Sequence, residues 1–147
     1  VSGHWRGKFD EAFRADAALA AAGRVLLLHN SRPPTALGPG SYHHDLLLRL
    51  GGQSATPTGA AYINLDAEDI LRLKPEAIII VRPGAEGSAI DLLGELRKLD
   101  IPAIKHGRLA VIDDSDALIP GTNMVRIADT MRGALQSWAK PTSEPVR

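Results

Sequence analysis

The chain contains no cysteine. That excludes a disulfide framework, a thiolate nucleophile and a sulfur-ligated metal, and it leaves cytosol and periplasm both open. Aromatic residues make up only 4% of the 147 residues, so an aromatic ring outside a predicted strand or helix stands out. Net charge is missing too. Seventeen Lys and Arg balance seventeen Asp and Glu, so nothing global draws the chain toward nucleic acid or an anionic membrane, and any ligand must be recognised locally. The longest apolar runs, Ala17 to Ala22 and Ile78 to Val81, fall far short of the ~20 residues that span a bilayer. There is no G-x-S-x-G elbow, no Walker A sequence and no G-x-G-x-x-G turn, which removes the common signatures of hydrolases and nucleotide enzymes.

What is present describes an ordinary folded chain. Apolar residues reach 44% and charged residues 23%, and a chain of ~150 residues buries ~70% of its unfolded surface, enough for one domain with a core. Val1 stands where Met would open a translated chain, so a signal peptide or a preceding domain is expected before it.

Extended and helical patterns alternate. Lys8 to Ala22 reads as a helix stopped by Gly23, and Arg24 to Asn30 as a strand whose continuous apolar run Val25-Leu26-Leu27-Leu28 fits burial on both faces. Ser31 to Gly40 reads as a loop. Ser41 caps a helix with His43, Leu46, Leu47 and Leu50 at i, i+3, i+4 and i+7, and Gly51-Gly52 gives it a left-handed exit. Gln53 to Ala55 fits a short strand, and Thr56 to Asn64 a turn-rich loop. Asp66 caps a helix that stops before Pro75, and Glu76 to Val81 is the clearest strand. Ser88 to Leu99 is expected to be helical, Ile101 to Ile104 and Leu109 to Ile112 extended. The last helix carries Met124, Ile127, Ala128, Met131, Leu135 and Trp138 on one face, and residues 141–147 read as a tail. The alternation predicts an α/β three-layer sandwich, with a mainly parallel sheet and helices on both faces.

In such a sheet the loops after the strands gather along one rim, where ligands bind. That rim comprises residues 30–42, 56–64, 82–87 and 113–121. Tyr42 and Tyr62 fall on it, either as contact surfaces or as loop packing with hydroxyls in water. Arg82 ends its strand, where a guanidinium can meet a ligand carboxylate or phosphate, or else a local acid such as Glu86. His43-His44-Asp45, with Asp113, Asp114 and Asp116 on the same rim, raises a metal reading. Adjacent helical histidines point about a hundred degrees apart and share one ion poorly, so a structural pair is the expectation. Gly38-Pro39-Gly40-Ser41 reads as a shaped loop, since Pro39 removes a donor and no Lys follows.

Four ordered segments carry a family resemblance: GPGSYHHDLLLRLGGQSA, YINLDAEDILRLKPEAIIIV, IPAIKHGRLAVID and PGTNMVRIADTM. Together they resemble the C-terminal lobe of the periplasmic substrate-binding proteins with a helical backbone linker, which serve ABC importers of ferric siderophores, haem and cobalamin. The likeness runs from about Arg24 to Trp138. It implies a lobe over residues 24–140, with residues 1–23 as a remnant of the linking helix or a substitute for it, and a second, N-terminal lobe across a ligand cleft. It also implies a periplasmic or otherwise extracytoplasmic location, an ABC permease in the membrane as partner, no catalysis and no resident cofactor. Carried over by position, Tyr62 matches an aromatic that the cobalamin-binding member sets against its ligand. Glu68 matches the glutamate by which this lobe docks on an arginine pocket of the permease, although a first-turn carboxylate also serves the helix itself. Ser54 stands where the family usually has Asn, and Glu76 where it usually has Asp.

The expectation is a lobe that captures a bulky metal-chelate or tetrapyrrole-like ligand with Tyr42, His43, Tyr62, Arg82 and Asp116, and binds no nucleic acid. Two alternatives stay open. One is a small doubly wound enzyme domain acting on a phosphorylated or nucleotide ligand at the same rim, and the other is a non-catalytic interaction module.

Overall fold

The computed structural model describes residues 17–31, 34–82, 89–113 and 122–139. Its centre is the apolar run read from the sequence. β1 (Arg24–Ser31) lies parallel to β5 (Ala77–Arg82), with Val25 opposite Ala77 and Leu28 opposite Ile80, and β5 lies parallel to β6 (Leu109–Asp113). β3 (Gln53–Ser54) adds a short parallel pairing to the first residues of β1. Successive strand residues point to opposite faces, so these strands feed two cores. Val25, Leu27, Ile79 and Val81 pack with Leu46, Leu47 and Leu50 of α1 (Tyr42–Leu50) and with Ile127, Ala128, Met131 and Leu135 of α5 (Thr122–Ala139). On the opposite face, Leu26, Leu28, Ile78 and Ile80 pack with Ile70 of α2 (Ala67–Leu73), Leu93 of α3 (Ala89–Leu93) and Ala103 of α4 (Pro102–Lys105). Each such aliphatic side chain contributes about 1.5–3 kcal/mol when fully buried. Helices therefore cover both faces of one mainly parallel sheet, as the alternation predicts.

The helix ends follow the local chemistry. The Ser41 side chain accepts the His44 N–H, and Gly51, at φ 107°, sends its own N–H back to Leu47 and Leu48 carbonyls. Asp66 and Asp69 form a reciprocal capping box on α2, each carboxylate accepting the other residue's backbone N–H. At the C-terminal end of α2 the Arg24 guanidinium donates to the Leu73 and Lys74 carbonyls, while the Glu76 carboxylate accepts the Arg24 N–H at 2.8 Å. Glu76 thus acts as a scaffold residue on the side of the sheet where the parallel strands begin.

Four expectations change. Pro34–Leu37, expected to be loop, is strand β2, antiparallel to the last residues of β1. Tyr62–Asn64, also expected to be loop, is β4, antiparallel to β2, which gives the order β4-β2-β1-β5-β6. Both are too short to show periodicity, and their strand character comes from pairing with β1 and with each other. Ile101–Ile104 is mostly helix instead of strand, because Pro102 sits at the first helical position, where its fixed φ suits a helix and its missing N–H costs nothing. The expected helix over 88–99 is α3 followed by a 3-10 turn at Gly94–Lys98, with Gly94 at φ 60°. Of the expected N-terminal helix, residues 17–22 form a 3-10 turn that buries Leu19 and Ala22 against α5; its earlier part lies outside the described residues.

Candidate ligand-binding rim

The parallel register brings the predicted strand ends together. Arg82 lies directly opposite Asp113, and Arg82 is level with Asn30 because Leu28 pairs with Ile80. The carboxyl ends of β1, β5 and β6 are therefore neighbours at the backbone level. Residues 83–88 and 114–121, which include Asp114 and Asp116, lie outside the described residues, as does the side chain of Arg82.

The two unforeseen strands extend this rim sideways. Ser31 pairs with Pro34, so β2 begins at the carboxyl end of β1, and β4 pairs with β2 through Leu37–Tyr62 and Thr35–Asn64. Tyr62 is 64% exposed. Its ring meets that of His29, centroids 6.2 Å apart at 69°. Tyr62 pairs with Leu37, which packs into the core on the α1 side of the sheet, so the Tyr62 ring stands on that side and meets His29 there, at the register shift between Leu28 and Asn30. His29 was missed in the sequence. The available signal was an imidazole at the end of an otherwise apolar strand, directly before the predicted rim.

Tyr42 opens α1 and is 37% exposed. Burial of its other part pushes the phenol above 10.0, with the Arg49 guanidinium opposing. Its ring lies edge-on to His43 at 5.2 Å. The segments bearing the two tyrosines are joined, since Gly38 N–H donates to the Ala61 carbonyl at 2.8 Å and Ser41 N–H to the Gly38 carbonyl at 3.1 Å. Tyr42 and Tyr62 thus lie on two hydrogen-bonded segments; Tyr62 is level with Leu37, nearer the middle of β1 than its carboxyl end, and its ring reaches His29. His43 is buried beneath Tyr42.

Beneath the rim is a buried polar network that the sequence did not announce. His44 Nε2 lies 2.9 Å from Ser54 Oγ, which also accepts the Thr56 N–H at 3.0 Å, and Thr56 Oγ1 donates to the Leu37 carbonyl at 3.3 Å. The network ties α1, β3 and the end of β2 together. Asp45, His44 and Ser54 stand in the order of an acyl-transfer triad, but His44 Nδ1 is 3.8 Å from Asp45 Oδ1, outside hydrogen-bond range. Ser54 is 7% exposed and its oxygen is already engaged. The arrangement serves cohesion. Among the described residues there is no group of three or more His, Asp or Glu that could hold a metal ion.

Glu68 is exposed in the first turn of α2. Leu65 N–H donates to the Pro34 carbonyl at 3.0 Å, which anchors the start of α2 beside the start of β2. Glu68 therefore stands near the same rim, on the helix that covers the opposite face.

No protein-family model matches the sequence, and no curated protein matches it. Solved structures do match. The chain is similar to the periplasmic haem-binding protein BhuT in complex with two haems, with a TM-score of 0.70 at 19% identity over 94% of this chain and 55% of that one. A possible iron-binding (periplasmic solute-binding) protein from Staphylococcus epidermidis matches with a TM-score of 0.67 at 18% identity, over 88% of this chain and 54% of that one. The periplasmic vitamin B12 binding protein BtuF of Vibrio cholerae matches with a TM-score of 0.66 at 13% identity, over 92% of this chain and 52% of that one. The chain spans about half the length of each, and its fold is that of one lobe of a periplasmic solute-binding protein. Among the described residues no helix is long and apolar enough to cross a membrane.

Proposed function

We propose that this chain is one lobe of an extracytoplasmic substrate-binding protein that hands an iron-siderophore, haem or cobalamin-type ligand to an ABC importer. The observation that carries the proposal is the fold likeness, which takes in nearly all of this chain and about half of each binding protein. The rim supports it. Tyr62 and Tyr42 offer apolar, π-bearing surface to a large ring system or chelate, His29 adds an imidazole beside Tyr62, and Arg82 at the end of β5 supplies a positive charge for a carboxylate or phosphate. The buried His43 ring meets the Tyr42 ring edge-on. Asp116, which follows β6 in the sequence, completes the proposed set of ligand contacts. The role is capture and release, with no chemistry performed on the ligand and no resident cofactor. Glu68 is the contact to the permease, standing exposed at the start of α2.

A single lobe encloses only one side of a ligand. Polar contacts stay wet and half the apolar contact area is missing, so affinity falls well below that of a closed two-lobe cleft. The test is an absorbance titration of the chain with haemin, cobalamin, a ferric siderophore and, as the rival class, ATP. Saturable binding of one chelate, with a dissociation constant between about 1 μM and 1 mM, supports the proposal. Binding of ATP with no response to any chelate would overturn it in favour of a nucleotide enzyme.

A further inference from the structure

A cavity lies on the other face of β4, away from Tyr62. It has a volume of about 320 Å³ and is lined by residues 55–58, by Ile63 and Leu65, and by Asp69, Arg72 and Leu73 of α2. This size is at the lower end of the ~300–1,000 Å³ typical of small-molecule sites. Its walls are mostly apolar. Ile63, Leu65 and Leu73 pack only partly into the core beside α2, and each remains half-buried. The charges gather on α2. Asp69 is fixed, its Oδ2 accepting the Asp66 N–H at 3.1 Å as part of the capping box. Arg72 is not. Its side chain is 73% exposed and touches Asp69 Oδ1 through one nitrogen at 3.3 Å, a long contact for a charged pair, and a guanidinium has five N–H donors.

From this arrangement we infer that the chain has a second ligand site, for a compact amphipathic carboxylate. The apolar body of the ligand lies against Ile63, Leu65 and Leu73, and its carboxylate takes the outward donors of Arg72. Thr58 also lines the cavity, and its hydroxyl is a further donor available there. Asp69 holds the guanidinium near the cavity and disfavours a second anion, which limits the site to one negative charge. A cation is excluded as the preferred guest because Asp69 is already engaged by Asp66 N–H and Arg72. A neutral apolar guest would leave the Arg72 donors to water and gain less. The site does not depend on the importer reading, since it uses none of His29, Tyr42, Tyr62 and Arg82 and opens on the face of β4 opposite Tyr62.

The experiment is a 15N chemical-shift titration of the chain with sodium octanoate and with benzoate, and with octanamide as the neutral match. One carboxylate should saturate with a dissociation constant on the order of 1 mM or below, moving the amides of Thr58, Ile63, Leu65, Arg72 and Leu73. Octanamide should bind about three- to tenfold more weakly than octanoate, and Arg72→Gln should weaken octanoate by a similar factor, the range expected for one partly hydrated charged hydrogen bond. Thr58→Trp, an exposed position whose new ring would fill the mouth, should abolish binding while leaving the spectrum of the core unchanged. The inference is overturned if neither carboxylate saturates, if octanamide binds as well as octanoate, or if the shifts fall on His29, Tyr42 and Tyr62 instead.

Discussion

Ser54→Ala is the sharpest test of how the rim is held. Ser54 Oγ meets His44 Nε2 at 2.9 Å, the Thr56 N–H at 3.0 Å and Thr56 Oγ1 at 3.5 Å. The three residues are 7%, 1% and 6% exposed, so water cannot replace the lost oxygen without rearrangement. Its removal leaves the Thr56 amide without that acceptor. It also leaves His44 with neither nitrogen hydrogen-bonded, since Nδ1 is buried without a hydrogen-bond partner. A buried polar group left unsatisfied costs about 1–3 kcal/mol, and partial relaxation at two such groups brings the expected loss to about 2–4 kcal/mol. That is a large share of the ~5–15 kcal/mol that holds a typical domain together. Urea unfolding at equilibrium should show a lower midpoint at unchanged slope. Adding His44→Leu removes the stranded imidazole and should recover part of the loss, with a coupling of about 1–2 kcal/mol in the double-mutant cycle. A Ser54→Ala loss within about 0.5 kcal/mol, with no coupling to His44, would refute the network.

Gly38→Ala would set a methyl against the Ala60 carbonyl, which is backbone and cannot swing away; a loss of about 1–3 kcal/mol is expected, with amide shifts spreading to Tyr42 and Tyr62. Tyr42 is the sole tyrosine in a Tyr62→Phe variant, and its alkaline absorbance titration should have a midpoint above 10.0. A phenol raised in the folded state contributes stability that is complete below pH 10.0 and is lost as pH rises through the folded value, so the share that Tyr42 contributes should disappear in that alkaline window. A midpoint at or below 10.0 would contradict the burial of Tyr42. Glu68→Ala should change stability by less than about 1 kcal/mol, while lowering transport in a reconstituted importer; undiminished transport would remove the docking role.

The parts of the fold legible in the sequence are those whose signal is local. Val25-Leu26-Leu27-Leu28 and Ile78-Ile79-Ile80-Val81 are buried on both faces, so unbroken apolarity is itself the strand signature. Ser41, Gly51 and Asp66 mark helix ends because their own backbone or side chain makes the capping bond. β2 and β4 were illegible because a four-residue and a three-residue strand exist only through partners distant in sequence. The Ile101-Pro102-Ala103-Ile104 piece misled because two apolar pairs fit either period, and only Pro102 carried the helical signal.

The site was legible in the same uneven way. The rim was expected from topology, and Tyr42 and Tyr62 were singled out because they fall on it instead of inside an expected strand. His44 could not be assigned, since its burial is decided by Ser54 across the α1–β3 junction. His29 became a rim residue only through β4, which brings Tyr62 alongside it.

The central claim is that Tyr42, Tyr62, His29 and the end of β5 form one wall for a bulky ligand. Chemical-shift mapping with whichever of haemin, cobalamin or a ferric siderophore binds tests it most directly, using the metal-substituted diamagnetic form where needed. The account predicts that the amides moved or broadened cluster at His29, Gly38 to Tyr42, Ala61 to Tyr62 and Arg82. Perturbation confined to α3, α4 and the outer face of α2, with those segments unmoved, would contradict it.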